Sequence, residues 1–238
     1  MSENHAYQIA LRDYLMNFIS DNKQSLFKKN IEDRTRYLTI VLENIYQSHN
    51  ASAVIRSCDL FGVHDVHIIE NTHKYELSEE VAMGSSKWLK LKKYNNLENN
   101  TLDCFNKLRA KGYQIIATTP HHNDVLIEQL NLDKPIALVF GTEHLGLSET
   151  ALNHVDGFMK IPMYGFTESF NISVSAALSM FYLTEKLRKS DIHWQLSAEE
   201  KVEIQIEWAR KTIKKSNLII KDFEEKWNQA NQIYPNTK

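Results

Sequence analysis

Three short stretches of this 238-residue chain bring together residue types that do chemistry. The first is Asn50-Ala-Ser-Ala-Val-Ile-Arg56, an amide and a guanidinium at a strand-to-helix junction. Open α/β sheets bind their ligands at such junctions, beyond the C-terminal ends of the strands. A helix-capping Asn50 and a water-facing Arg56 would account for the same pair. The second stretch, VFGTEHLGLSE, runs from Val139 to Glu149. Gly141 and Gly146 have the spacing of a phosphate-binding loop, but Leu147 stands where its lysine belongs. Glu143 would also put a negative charge inside the cradle, which argues against a nucleoside triphosphate. What remains is a turn that lets backbone approach an uncharged or cationic ligand, or a plain loop. The third stretch is IPMYGFTESFN, Ile161–Asn171, followed by ISVSAALSMFYL. Pro162 stops a strand, Gly165 permits a turn, and Ser169 or Asn171 can cap the next helix. Ser173, Ser175, Ala176, Ala177 and Ser179 let that helix approach another backbone closely, in the core or at a dimer interface.

The elements that must hold these stretches follow from periodicity. Short β-branched or apolar runs predict strands over 37–42, 66–69, 88–91, 113–117, 136–140 and 157–161. Between them lie predicted helices over 50–61, 75–83, 99–110, 148–153 and 171–188, the first ended by Gly62 and the third by Gly112. In the first of these helices Val54, Ser57, Cys58 and Phe61 share a face. Strands alternating with helices predict an α/β fold with a mostly parallel sheet sandwiched by helices. Before it, Leu11, Leu15, Phe18 and Ile19 share one face of a helix over 5–20, and a second helix covers 21–29. After it, Ser197-Ala-Glu-Glu200 is a capping box. It opens a helix with Val202, Ile206, Ala209 and Ile213 on one face. Ser216 starts another with Ile220, Phe223 and Trp227 apolar. The predicted plan is an N-terminal helical extension (1–36), an α/β core (37–190) and a C-terminal helical extension (191–238).

Composition narrows the class. A formal net charge of −2 lacks the footprint of a basic nucleic-acid binder when read as one number. Split along the chain, it reads differently. Residues 1–36 hold six basic and five acidic residues, 37–185 hold eleven and seventeen, and 186–238 hold eleven and eight. An acidic middle is flanked by basic ends. No apolar run reaches the ~20 residues of a membrane helix. The first residues do not read as a secretory signal, and two cysteines make no disulfide framework. A reduced, cytoplasmic protein is expected.

In this order, the N-x5-R helix start, the VFGTEHLGLS turn and the IPM-x4-ESFNISVSAAL segment resemble the three motifs of the SPOUT superfamily. They are most similar to its RNA 2′-O-ribose methyltransferase branch. The resemblance covers about residues 37–188. It implies a deep trefoil knot in the C-terminal part of the core, a homodimer with each active site at the subunit interface, and S-adenosylmethionine as cofactor. Arg56 matches the arginine proposed to activate the ribose hydroxyl, and Asn50 the asparagine that orients it. Glu143 matches the glutamate near the reacting centre, and Ser169 and Asn171 the pair that shapes the site. Thr118, Gly141, Ile161 and Phe170 are the implied cofactor contacts. Phe170 stands where the family usually carries Leu.

An arginine with a pKa above about 12 is a poor free base. Arg56 is therefore expected to bind an RNA phosphate or the developing alkoxide, with Glu143 balancing a cation or holding Arg56. Family members acting on ribosomal RNA often carry an N-terminal L30-like domain, and about 36 residues precede the first predicted strand here. Helical extensions at both ends resemble the branch that methylates guanosine 18 in the tRNA D-loop. Arg12, Lys28, Lys29, Arg34, Arg36, Arg210, Lys211, Lys214 and Lys215 are the expected RNA contacts, supplying affinity rather than sequence choice. Two other readings stay open: the same chemistry on another tRNA or rRNA nucleotide, and a non-catalytic RNA-binding platform. Ten histidines invite a metal. Neither His64 with His67 nor His121 with His122 is completed by Cys or carboxylate ligands, so none is expected. His144 reads as an exposed loop residue or a substrate contact, and Cys58 and Cys104 as buried, inert thiols.

Overall fold

A computed structural model of the chain describes residues 3–75, 78–120, 125–143 and 145–233. The chain divides into two compact units, Arg34–Gln195 and a second made of Met1–Asp33 with Leu196–Lys238. In chain order the elements are α1 (Glu3–Met16), α2 (Asp21–Glu32), β1 (Leu38–Glu43), α3 (Ser48–Phe61), β2 (Asp65–Ile69), α4 (Glu79–Ala82) and β3 (Lys90–Tyr94). There follow α5 (Asn100–Arg109), β4 (Gln114–Thr118), β5 (Val125–Leu126), β6 (Ile136–Phe140), α6 (Glu149–His154), β7 (Gly157–Lys160), α7 (Ile172–Arg188), α8 (Ala198–Thr212) and α9 (Ser216–Ile233).

Among the described residues the larger unit holds a seven-stranded sheet in the order β3-β2-β1-β6-β4-β7-β5, with every pair parallel. Parallel strands need both faces covered, and the two-residue alternation of side chains supplies two cores. Leu38, Ile40 and Leu42 of β1 join Ile136, Leu138 and Phe140 of β6 in the core that includes residues of α3 and α7. Val41, Ala137 and Val139 face the opposite way, into the core that includes residues of α5 and α6.

Three predicted elements shift. The strand expected over 88–91 begins at Lys90, because Gly84 (φ 75°) turns the chain into a 3₁₀ segment over Ser85–Trp88. Pairing with β2 then starts at Asp65 and Lys90. In the 75–83 region the described helix is only Glu79–Ala82, and residues 76 and 77 lie outside the described residues. Helix α3 starts at Ser48 with Gln47 at the cap, so Asn50 lies in its first turn and is not its cap.

The smaller unit is helical. Helix α8 packs on α1 and α2, and α9 packs on α1 and α8. Because α8 has neighbours on two sides, Ile204, Gln205 and Trp208 are buried along with Val202 and Ala209, while the predicted Ile206 and Ile213 are half-buried. The capping box at Ser197 and Glu200 is present. Phe18 lies past the end of α1 and is exposed instead of sharing the face of Leu11 and Leu15. Tyr7 and Tyr14 pack on Phe223 with ring centroids 5.4 Å apart, and Phe27 meets Trp208 at 5.3 Å.

Candidate active site

Strands β1 and β6 lie side by side and run the same way, so the loops after them emerge together at one sheet edge. The β1 loop leads into α3, and its first turn carries Asn50. The β6 loop carries Glu143. Asn50 Nδ2 donates to Glu143 Oε1 at 2.8 Å and to Gln47 Oε1 at 2.7 Å. Asn171, at the start of α7, completes the group. Its Oδ1 accepts from Ser173 N at 2.9 Å and from Ser173 Oγ at 2.6 Å, which caps the helix. Its Nδ2 donates to the same Glu143 oxygen and to Asn50 Oδ1 at 3.2 Å. Residues 93 and 121 positions away from Asn50 are thus joined to it directly. The Glu143 charge is met by two amide donors, and Oε2 makes no hydrogen bond among the described residues.

Beside this group lies a cleft of about 310 Å³. The loop that forms one wall closes on itself: Thr142 N donates to Gly146 O at 2.9 Å, and Gly146 N to Thr142 O at 3.0 Å. Those amides are engaged, so the loop is not a phosphate cradle. A Cβ on Gly141 would stand 2.2 Å from the carbonyl carbon of Gly146, which explains why only glycine fits the close approach. Gly146 itself has φ 69°. The expected cofactor residues Thr118, Gly141, Ile161 and Phe170 all line the cleft, with Glu143 and Ser169 at the same cavity. Leu145, Leu147, Leu152, Met159 and Ile172 make it largely apolar. Ser179 Oγ, also in its lining, is buried and has no hydrogen-bond partner among the described residues.

Arg56 lies in α3, two turns beyond its start, with an exposed side chain that makes no ion pair among the described residues. It is not held by Glu143. Lys28, Lys29, Arg210, Lys211, Lys214 and Lys215 are exposed on the helical unit, and Arg12 there pairs with Asp13 at 2.7 Å. Arg34 is a correction. It belongs to the larger unit, is buried, and its guanidinium is held by Asp59. Arg36 is also in that unit, half-buried, with Nε 3.4 Å from Asp65. Proximity to the basic N-terminal segment suggested both, but the strand that follows draws them into the fold.

Burial pushes the imidazoles of His64 and His67 down to about 3, so both are neutral at pH 7. His67 Nδ1 is 2.8 Å from the Tyr94 hydroxyl. His121, His122 and His144 lie outside the described residues. Cys58 and Cys104 are buried free thiols, and burial raises the pKa of each.

Sequence reasoning missed Glu43 and Gln47. Glu43 closes the apolar run YLTIVLE and is 1% exposed. Its Oε1 accepts from Thr101 Oγ1 at 2.6 Å and Ser148 Oγ at 2.8 Å, and its Oε2 from Ser148 N at 2.9 Å. The readable signal was a carboxylate in register with a strand that is otherwise buried.

The family model of the SpoU rRNA methylases matches residues 37–181. A tRNA (guanosine(18)-2′-O)-methyltransferase of Borreliella burgdorferi is 42% identical over 205 residues, 86% of this chain and 92% of the relative. The A. aeolicus TrmH/SpoU tRNA modifying enzyme has a crystal structure similar to this chain, with a TM-score of 0.72 and 27% identity, over 82% of this chain and 98% of that one. The SpoU methyltransferase AviRb from Streptomyces viridochromogenes, solved in complex with AdoMet, shares the fold with a TM-score of 0.56 and 20% identity, over 68% of this chain and 62% of its own. Family model, relative and three-loop geometry agree: the chain belongs to the SpoU methylase family.

Proposed function

We propose that this protein methylates the ribose 2′-hydroxyl of guanosine 18 in tRNA, using S-adenosylmethionine. The observation that carries the reading is the joining of Asn50, Glu143 and Asn171 at the mouth of an apolar cleft. The cleft suits the cofactor. Apolar walls and close backbone accept a flat base, Ser179 offers an unpartnered hydroxyl, and Glu143 is a carboxylate beside where a cation would lie. When bound, S-adenosylmethionine supplies a methyl group made electrophilic by its sulfonium. Thr118, Gly141, Ile161 and Phe170 hold it. Asn50 and Asn171 orient Glu143, and Ser169 contributes a hydroxyl to the same cavity. Methyl transfer is in-line, so orienting the ribose oxygen dominates the rate. Arg56 serves that purpose by gripping an RNA phosphate or the alkoxide as it develops, and its planar fork fits either. The proton passes to phosphate or solvent, because a guanidinium cannot take it.

The knotted C-terminal core and the homodimer belong to this reading. The stretch after β7 and the stretch after β6 line one cleft, as a knot of the two would require. On α7, Val174, Leu178 and Phe181 recur at helical spacing and remain exposed, a face suited to a second copy of the chain. The helical unit, with its exposed lysines and arginines, grips tRNA. A cytoplasmic location follows from the substrate. Among the described residues no helix is long and apolar enough to cross a membrane.

The test is methylation of tRNA lacking the modification, followed by mapping of the product. A 2′-O-methyl group at guanosine 18 is expected, and a methylated base would overturn the reading. Calorimetry separates enzyme from platform, since a non-catalytic platform would not bind S-adenosylmethionine. Replacing Lys28, Lys29, Lys214 and Lys215 should lower the salt slope of tRNA binding by up to about 0.7–0.9 per lost phosphate contact. It should leave cofactor binding intact.

A further inference from the structure

We infer that Glu43 is a positioning residue: a buried carboxylate that anchors the Gly141–Leu147 wall of the cofactor cleft through Ser148. The inference rests on the cofactor reading above.

Glu43 ends β1 with its side chain on the α5/α6 side of the sheet, where Thr101 and Ser148 meet it. The direction of each hydrogen bond is set by its neighbours. Thr101 Oγ1 accepts from Asn71 Nδ2 at 2.8 Å, so its own proton is free to point at Glu43. Ser148 Oγ accepts from Ala151 N at 3.1 Å, so its proton points the same way. Ser148 N can only donate. Three donors therefore converge on one carboxylate, and no cation pairs with it among the described residues. A buried acceptor-only group with three donors is costly to remove, because each donor is left without a partner.

What it holds is the far end of the cleft-lining loop. Gly141 anchors the near end by its contact with Gly146, and Ser148 the other by its bonds to Glu43. Between them stand Glu143, Leu145 and Leu147, all in the cleft lining. A loop pinned at both ends does not have to be ordered when ligand arrives, so its affinity is preserved.

The experiment measures S-adenosylmethionine affinity by calorimetry, with amide exchange of residues 141–148 in the absence of cofactor. Glu43→Ala should raise Kd about tenfold or more and lose protection at Thr142, Gly146 and Ser148. Glu43→Gln keeps an acceptor for Ser148 N–H but puts an amide nitrogen at the two hydroxyls, whose bonds must reverse direction and lose the charge, and should fall between at about threefold. The KM for tRNA should stay near the parent value. A purely structural role would lower the melting temperature yet leave Kd and loop exchange of the folded protein unchanged, and that result overturns the inference. If Glu43→Ala is not recovered folded, Ser148→Ala keeps the backbone bond and removes the hydroxyl. It should raise Kd about threefold, and parent affinity there would be equally decisive against it. Should the parent chain itself fail to bind S-adenosylmethionine, the cofactor reading falls, and loop exchange in the variants still decides the role of Glu43.

Discussion

Replacing Asn171 by Asp separates two tasks that one side chain performs. Its oxygen caps α7 by accepting from Ser173, while its nitrogen donates to Glu143 and Asn50. Asp keeps the oxygen and loses the nitrogen. Asp and Asn cap helices equally well, and a negative charge at a helix N-terminus adds about 0.3–1 kcal/mol. Against this stands repulsion from Glu143. Two unit charges about 4 Å apart interact by about 1 kcal/mol in bulk water and about 4 kcal/mol at an effective dielectric of 20. Both side chains are exposed, which places the cost near the lower figure. The gain and the cost nearly cancel, so Asn171→Asp should unfold within about 1 kcal/mol of the parent. Asn171→Ala loses the cap and should cost about 1 kcal/mol. Activity should follow the other task. With its Asn171 donor gone, and in the Asp variant a charge opposed to it as well, Glu143 turns away, and kcat/KM should fall at least about 100-fold in both variants, or about 2.7 kcal/mol of barrier. Urea unfolding and tRNA methylation under single-turnover conditions measure the two effects separately. Asn171→Asp with parent-like stability and activity within threefold of the parent would refute the claim that the donor holds Glu143 for catalysis.

Gly141→Ala should abolish cofactor binding in calorimetry and lower the melting temperature, because its Cβ meets Gly146 backbone at 2.2 Å. Parent-like affinity would show that the loop opens without consequence. Stability should fall with acid through the buried histidines. His64 and His67 have folded pKa values near 3 against about 6.5 unfolded, so the unfolded chain takes up protons first as pH drops below 6.5. Their contribution is complete above pH 6.5 and is lost toward pH 3. Between pH 7.5 and 5.5 each should remove about 1.4 kcal/mol, read as a shift in urea midpoint that a His67→Gln variant halves. Arg34→Ala should behave as a folding mutant. Leaving Asp59 without its buried partner costs about 3 kcal/mol, while the KM for tRNA measured on folded protein should not move.

How much of this was legible follows from where each cue is stored. The apolar alternation of YLTIVL and IALVF is local, so the strands and the parallel sheet could be read directly. So could Asn171 as one of two candidate caps, and the Gly141 turn as a place of close approach, although what approaches Gly141 here is the backbone of Gly146. Local cues mislead where distant partners decide. Asn50 reads as a cap because its type suits that position, yet Gln47 takes the cap position and the Asn50 amide reaches Glu143 instead. Arg34 reads as part of a basic arm, yet Asp59 of α3 claims it. Glu43 can be read as a carboxylate in a buried strand, but its partners cannot: its three donors come from residues 101 and 148, which no periodicity of β1 connects to it.

The arrangement also decides what Arg56 is free to do. A glutamate and an arginine in one site are ordinarily expected to pair, and a paired guanidinium would have to exchange its carboxylate for any RNA phosphate. Here the Oε1 of Glu143 is held by the amides of Asn50 and Asn171, neutral groups that fix its position without cancelling its charge. Arg56 is left exposed and without an ion pair among the described residues. On the function proposed above, the two charges serve different objects, the carboxylate a cation in the cleft and the guanidinium an RNA anion. Arg56→Lys tests that division, because a compact ammonium keeps the charge and loses the bidentate fork. The variant should bind S-adenosylmethionine with parent affinity and lose at least about tenfold in kcat. Full turnover in Arg56→Lys would mean that a point charge suffices and that the guanidinium plane has no part in setting the ribose.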